Sequence, residues 1–204
     1  MDANALNHLR NEHQNINSLL HILERQLDSI KTGDRPDYFL MHEITQYLTY
    51  YSDHYHHPFE DLIYARLVRK NEKYFTVVAN IGIQHQEIAS KGENLHELVS
   101  GLIRGSVISR ETLFSEGFDY INLYRIHMLK EETELFQPIS EHLNNTDWML
   151  LTSAFEWRPD PVFSDEVTSE YKHLKECISS EVNSEWPWNE CLEDSCSICS
   201  SVEV

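Results

Sequence analysis

Six residues combine types and spacings that suit metal chemistry. His56 and Glu60 form one His-x-x-x-Glu pair, His127 and Glu131 form a second, and two more histidines, His13 and His85, sit singly inside apolar seams. Residues four apart lie about 40° apart around a helix, so each pair can aim an imidazole and a carboxylate at one point. A His or Glu turned into an apolar interior is costly unless it is paired or bound to a metal. A lone seam histidine is usually an ordinary interior or surface residue, but four on separate seams would each need an unrelated polar partner. Two carboxylates and four imidazoles converging from all sides suit two iron ions bridged by carboxylate and capped by imidazole. Zinc would ask for fewer ligands and a tetrahedron.

Four amphipathic helices must position these groups. In the first, Leu6, Leu9, His13, Ile16, Leu20, Leu23 and Leu27 follow alternating steps of three and four, and Thr-Gly-Asp-Arg-Pro after Lys31 stops the helix. The second is expected over about 36–70. The third carries Val78, Ile81, His85, Ile88, Gly92, Leu95, Val99 and Leu102 on one seam. The fourth, expected over about 109–142, carries Tyr120, Tyr124, His127, Glu131, Leu135 and Pro138 on one stripe. Short connections between long helices predict an all-α fold, an antiparallel up-down-up-down four-helix bundle. The second helix holds an irregularity: Leu40, Ile44, Tyr47, Tyr51 and Tyr55 run about one residue out of phase with His56, Glu60, Ile63 and Leu67. Pro58 cannot donate to the carbonyl of His54, so a kink or π-type bulge is expected to absorb the slip.

Composition narrows the function classes. Sixteen Lys plus Arg stand against 34 Asp plus Glu, a formal charge of -18. So acidic a chain repels phosphate backbones and anionic lipid, which excludes nucleic acid and membrane surfaces as partners. Histidine is in excess, 12 of 204 residues. The first residues, MDANALNHLRNEH, lack a basic stretch followed by an apolar one, and no apolar run approaches the roughly 20 residues of a membrane span, so a soluble, cytoplasmic protein is expected. Residues 155–204 hold 12 acidic and 3 basic side chains, half of the net charge. The chain therefore divides into a bundle over 1–145 and an acidic C-terminal extension over 146–204. In the extension, 147–155 is expected to cover the end of the bundle and 165–180 to form a further helix through Val167, Tyr171, Leu174 and Ile178. Beyond Ser180 it is expected to be partly disordered. All four cysteines, Cys177, Cys191, Cys196 and Cys199, lie in this extension, so disulfides do not hold the bundle.

The chain resembles the hemerythrin family, the hemerythrin-like HHE cation-binding domains, over about residues 5–145. The resemblance rests on Glu12-His13, on His56-His57-Pro58-Phe59-Glu60-Asp61, on His85, and on His127-Met128-Leu129-Lys130-Glu131-Glu132 followed by Leu135-Phe136. It implies two non-haem iron ions (Fe2+/Fe3+) joined by an oxo or hydroxo bridge, with His13, His56, His85 and His127 as terminal ligands and Glu60 and Glu131 as bridges. Oxygen-carrying hemerythrins place two histidines four residues apart on the third helix, where this chain has Ile81 and Ala89 around His85. The fifth position falls to His57, to a water, or to an open site.

Binding or sensing of O2, or of a related ligand such as NO, is the function this implies. An oxidase, peroxidase or NO-handling enzyme fed by a redox partner or by the tail thiols is the alternative. Iron storage ranks third, because the Glu-x-x-His spacings it would use, Glu93 to His96 and Glu170 to His173, share no helix face with a second motif. Glu132 is expected to support a ligand rather than to be one, and Tyr50, Tyr51, Tyr55, Tyr64, Tyr120 and Tyr124 to pack the core. His8, His21, His42, His54, His96, His142 and His173 are expected at the surface or the bundle ends.

Overall fold

The computed structural model describes residues 2–156, 158–164 and 167–183. Among them the chain is helical, with no strand. Helix α1 spans Asp2–Thr32. The expected seam, His13 included, is buried along its whole length. The helix stops where Gly33 takes a φ of 86°, a left-handed conformation in which a Cβ would be strained.

The second stretch is three elements: α2 (Tyr38–Tyr47), a π-helical segment (Leu48–His56) and α3 (His57–Lys70). Asp37 caps α2, its carboxylate accepting from the N–H groups of Phe39 and Leu40 at 3.0 Å. The slip in the apolar stripe is absorbed as the sequence predicts, over a longer run than a single bulge. The His57 N–H reaches back five residues to the Ser52 carbonyl, and the wider winding brings both Tyr51 and His56 inward.

A short 3-10 turn (Glu72–Tyr74) leads into α4 (Phe75–Ile103), which buries Ile81, His85, Ile88, Gly92, Leu95 and Val99. Helix α5 (Arg110–Glu134) is capped by Ser109, whose hydroxyl accepts from Thr112 N–H. The fourth helix does not run unbroken to His142. It ends at Glu134 and resumes as α6 (Phe136–His142), with Leu135 at φ -116° between them. Pro138 has no N–H for the Glu134 carbonyl, which accounts for the interruption.

Helices α1 and α4 both pack against α2 and α5. A Cβ on Gly117 would lie 2.5 Å from Leu27 Cδ1, so the glycine lets α5 approach α1 with the Leu27 side chain packed against its backbone. The interior separates into two apolar clusters. Ile16, Tyr51, Ile88, Tyr124 and Met128 belong to one. Leu9, Phe59, Ile63, Ile81 and Leu135 belong to the other. On α1 and α4 the His positions fall between the two sets, and the π segment with α3 and α5 with α6 place theirs at the same junction, so the polar residues form one layer between two apolar cores.

The C-terminal extension packs on the bundle. Helix α7 (Asn145–Ala154) buries Trp148 and Leu151 in the cluster that holds Phe59 and Phe136. A 3-10 turn (Ser169–Tyr171) precedes α8 (Lys172–Asn183), and Val162, Tyr171, Leu174 and Ile178 join the other cluster, with Val167 packed beside them. The remainder of the segment expected to be disordered, with Cys191, Cys196 and Cys199, lies outside the described residues. No helix among the described residues is long and apolar enough to cross a membrane.

Asp147 fastens α7 to α3. Its carboxylate takes Arg66 Nε at 2.7 Å, Arg66 Nη2, Lys70 Nζ at 2.8 Å and, within a capping box, the Asn144 N–H at 2.9 Å. Burial alone would raise this carboxyl, but Lys70, the Asn144 N–H and Arg66 hold it down at about 2. Its folded value is therefore below the unfolded value of about 3.9, so its contribution is complete above that pH and is lost as pH falls toward 2. Asp147→Asn should lower stability at neutral pH by about 1–2 kcal/mol, the low end because the Arg66 and Lys70 heads are partly solvated. Thermal melts of both proteins as a function of pH check this: the gap should close in acid, and a gap that persists at low pH refutes it.

Candidate metal centre

The six residues singled out by type and spacing meet in the polar layer, and His57, the candidate for the fifth position, lies with them. His13, His56, His57, Glu60, His85, His127 and Glu131 are each buried. Glu60 lies between two groups of imidazoles. His13 Nε2 is 3.3 Å from its Oε1, and His56 Nε2 and His85 Nε2 are each 3.6 Å from its Oε2. Glu131 spans the same layer, with His85 Nε2 3.4 Å from Oε1, and His127 Nε2 and His13 Nε2 3.3 and 3.5 Å from Oε2. Two sets of ligand atoms each fit within 4.8 Å: His57, Glu60, His85 and His127 in one, His13, His56 and Glu60 in the other. Glu60 is common to both.

Carboxylates hold the opposite edge of three of the five imidazoles by hydrogen bonds, and a fourth, Asp53, lies beside His57 with its Oδ1 making no hydrogen bond. His13 Nδ1 lies 2.7 Å from Glu132, His56 Nδ1 3.2 Å from Glu12, His57 Nδ1 3.2 Å from Asp53 and His85 Nδ1 3.0 Å from Asp61. Such an outer carboxylate fixes the ring and its tautomer and raises the basicity of the inward nitrogen. Two phenols donate to carboxylates here as well: Tyr64 to Glu131 at 2.9 Å, and Tyr51 to Glu12 at 2.7 Å. Tyr124 Oη sits 3.3 Å from His57 Nε2.

Without a cation the layer is poorly satisfied. His56 Nε2, Glu60 Oε2, His127 Nδ1 and Nε2, and Glu131 Oε2 are buried with no hydrogen-bond partner. Each orphaned group of this kind costs about 1–3 kcal/mol. All but His127 Nδ1 are inward-facing atoms of the two ligand sets or of Glu131 between them, so bound cations would satisfy them together. The residues present therefore fit a metal.

Crowding also divides the protons unevenly. Burial pushes Glu131 up, and the neighbouring Glu60 adds to it, while the surrounding histidines hold Glu60 low against its burial. Burial opposes the charged form of His13, yet Glu132, Glu60 and Glu131 raise it to about 10, and Asp61, Glu131 and Glu60 raise His85 to about 11 in the same way. Burial and the neighbouring cations push His127 down to about 3 and His57 well below its ordinary value.

The hemerythrin HHE cation-binding domain family matches the chain over residues 4–139. The chain belongs to the hemerythrin family. Searches of curated proteins and of solved structures return no match. Within the hemerythrin pattern the departure is local. Ile81 on α4 is a buried apolar residue in the second cluster, and the fifth imidazole of the layer comes from α3, where His57 stacks on His85 with ring centroids 4.3 Å apart.

Glu132 stands as expected, beside a ligand candidate and partly exposed. Glu12, Asp53 and Asp61 were not singled out by spacing, although two signals existed. Asp53 lies four residues before His57, and Glu12 and Asp61 adjoin His13 and Glu60. Their partners, however, are His56 and His85 on other helices, which no local spacing reveals. Tyr51, Tyr64 and Tyr124 do more than pack the core, since each reaches the layer through its oxygen. Ile16, Ile63 and Ile88 are buried in the flanking apolar clusters, while Leu123 is half-buried and lines a surface groove with Ile83.

A cation entering this layer must displace the protons that His13 and His85 hold at neutral pH. Metal uptake should therefore release protons and weaken as pH falls. Calorimetric titration with Fe2+ in buffers of different ionisation enthalpy measures the release, and an affinity independent of pH and buffer overturns it.

Proposed function

We propose that this hemerythrin-family chain is a non-haem di-iron protein that binds or senses O2, or a related small ligand such as NO. Its bundle would be the antiparallel up-down-up-down arrangement over 1–145, followed by the extension. The observation that carries the reading is the sharing of Glu60 between two groups of imidazoles, with Glu131 spanning the same groups. One cation would take His57, His85 and His127, the other His13 and His56. Glu60 and Glu131 would bridge them. The second group has one imidazole fewer, which leaves it the better place for a small exogenous ligand.

Iron held there would supply reversible electron donation to the ligand. The rest is work of the chain. Glu12, Asp61 and Glu132 hold three imidazoles, His56, His85 and His13, with their inner nitrogens on the centre. Tyr64 keeps Glu131 oriented by donating to Oε1. The apolar clusters on either side exclude water, which strengthens electrostatic interactions inside and limits loss of bound ligand to side reactions.

Metal analysis of the purified chain should find two irons, and its absorption spectrum should show ferric charge-transfer bands that shift on adding azide. His56→Ala and Glu131→Ala should abolish the bands. His57→Ala should remove the iron of the three-imidazole group while the fold persists by circular dichroism. Absence of iron, or a diferrous form inert to oxygen, defeats the reading; full iron content in His57→Ala defeats the assignment of the fifth ligand.

A further inference from the structure

Three tyrosines touch the metal layer, and they differ in where they lead. Tyr64 donates to Glu131 and has no aromatic neighbour that reaches the surface among the described residues. Tyr124 contacts Tyr120 at 5.7 Å between centroids, and Tyr120 is itself buried. Tyr51 is the first ring of a branched chain. One branch runs to Tyr55 at 5.8 Å and on to Tyr50 at 5.9 Å, with the last two phenolic oxygens 3.5 Å apart. The other runs to Tyr47, stacked at 5.3 Å, and to Tyr171 at 6.0 Å.

Both branches end at one surface cleft of about 640 Å³, lined by Tyr50 and Tyr171 together with Thr49, His54, Glu93 and Glu170. Tyr50 is 48% exposed there. At the inner end Tyr51 donates to Glu12 Oε1, whose other oxygen lies against His56 Nδ1. The π segment creates this alignment. In an α-helix residues five apart lie about 140° apart, whereas the π winding sets Tyr51 and His56 on one side and brings Tyr50 against Tyr55.

We propose that Tyr51, Tyr55 and Tyr50 form a relay that carries oxidising equivalents from the metal layer to the cleft, where a small neutral phenolic donor of the hydroquinone class is oxidised. The proposal rests on the di-iron reading and makes the same site a peroxidase when hydrogen peroxide is the oxidant. Electron transfer weakens steeply with distance, so a series of adjoining phenols moves a hole farther than one jump would. A neutral donor is favoured because Glu93 and Glu170 at the rim repel anions.

The step balances as follows. Tyr51 loses an electron inward as its O–H bond breaks and the proton passes to Glu12 Oε1. An electron from Tyr55 refills it and the proton returns from Glu12, while the Tyr55 proton leaves to solvent. Tyr50 restores Tyr55 by passing its electron and proton across the oxygen contact, and then takes a hydrogen atom from the donor. Two such transfers supply the two electrons that reduce one peroxide to two waters, the two protons it takes up from solvent matching the two released to solvent from Tyr55, and two donor molecules leave as phenoxyl radicals.

The test uses the iron-loaded full chain mixed with hydrogen peroxide, freeze-quenched and examined by electron paramagnetic resonance. The unaltered chain should give a tyrosyl signal that hydroquinone removes. Tyr51→Phe, which keeps the ring packing, should bind the same iron and lose the signal. Tyr50→Phe should keep a signal that hydroquinone removes more slowly. Bound iron with no tyrosyl signal, or with the same signal in Tyr51→Phe, overturns the relay alone. A chain that binds no iron overturns the di-iron reading and the relay with it.

Discussion

The rest of the structure depends on two carboxylates placed where no solvent reaches them. Glu60 and Glu131 are fully buried, each within 3.6 Å of both His13 and His85, and as neighbours of like charge they cannot both be ionised without compensation. Histidine protons supply part of that compensation at His13 and His85, and several inward-facing atoms are left with no partner. An arrangement of this kind opposes folding unless a cation completes it. The apolar clusters above and below are then the scaffold that holds the layer closed. Helix packing and metal chemistry are two aspects of one constraint.

Carboxylate support for His13, His56 and His85 comes from outside each residue's own helix. Glu12 adjoins His13 in sequence but holds His56, Asp61 adjoins Glu60 but holds His85, and Glu132 adjoins Glu131 but holds His13. Each cross-connection ties two helices at the level of the site, so the orientation of one imidazole depends on the placement of another helix. The π segment contributes in the same sense. By taking an extra residue per turn it lets α2 present Leu40, Ile44 and Tyr47 to the core while α3 presents His57, Glu60 and Ile63. A plain α-helix through 48–56 would turn one of these sets outward.

The extension is part of the same object. Trp148 and Leu151 thicken one apolar cluster and Tyr171, Leu174 and Ile178 the other, so the metal layer is shielded at both ends by residues outside the family match. Asp147 ties the first of these additions down through Arg66 and Lys70 of α3. The cleft at Tyr50 and Tyr171 lies where the extension meets the π segment, which gives the added residues a place beside the chemistry as well as beneath the core.

How far the sequence alone reached follows from the range of the forces involved. Helix faces repeat every few residues, so the seams of α1 and α4, the two His-x-x-x-Glu pairs and the slip near Pro58 were all legible in the linear order. The identity of six of the seven inward groups was legible too, because a polar residue on an apolar face has few other reasons to be there. What the tertiary structure alone decided was pairing across helices. That His57 lies with His85 and His127, that Glu60 is shared between two groups, and that Tyr51 meets Glu12 are consequences of helix rotation and depth. Those are set by how two apolar clusters close around a polar layer, and contacts between residues tens of positions apart leave no local period to read.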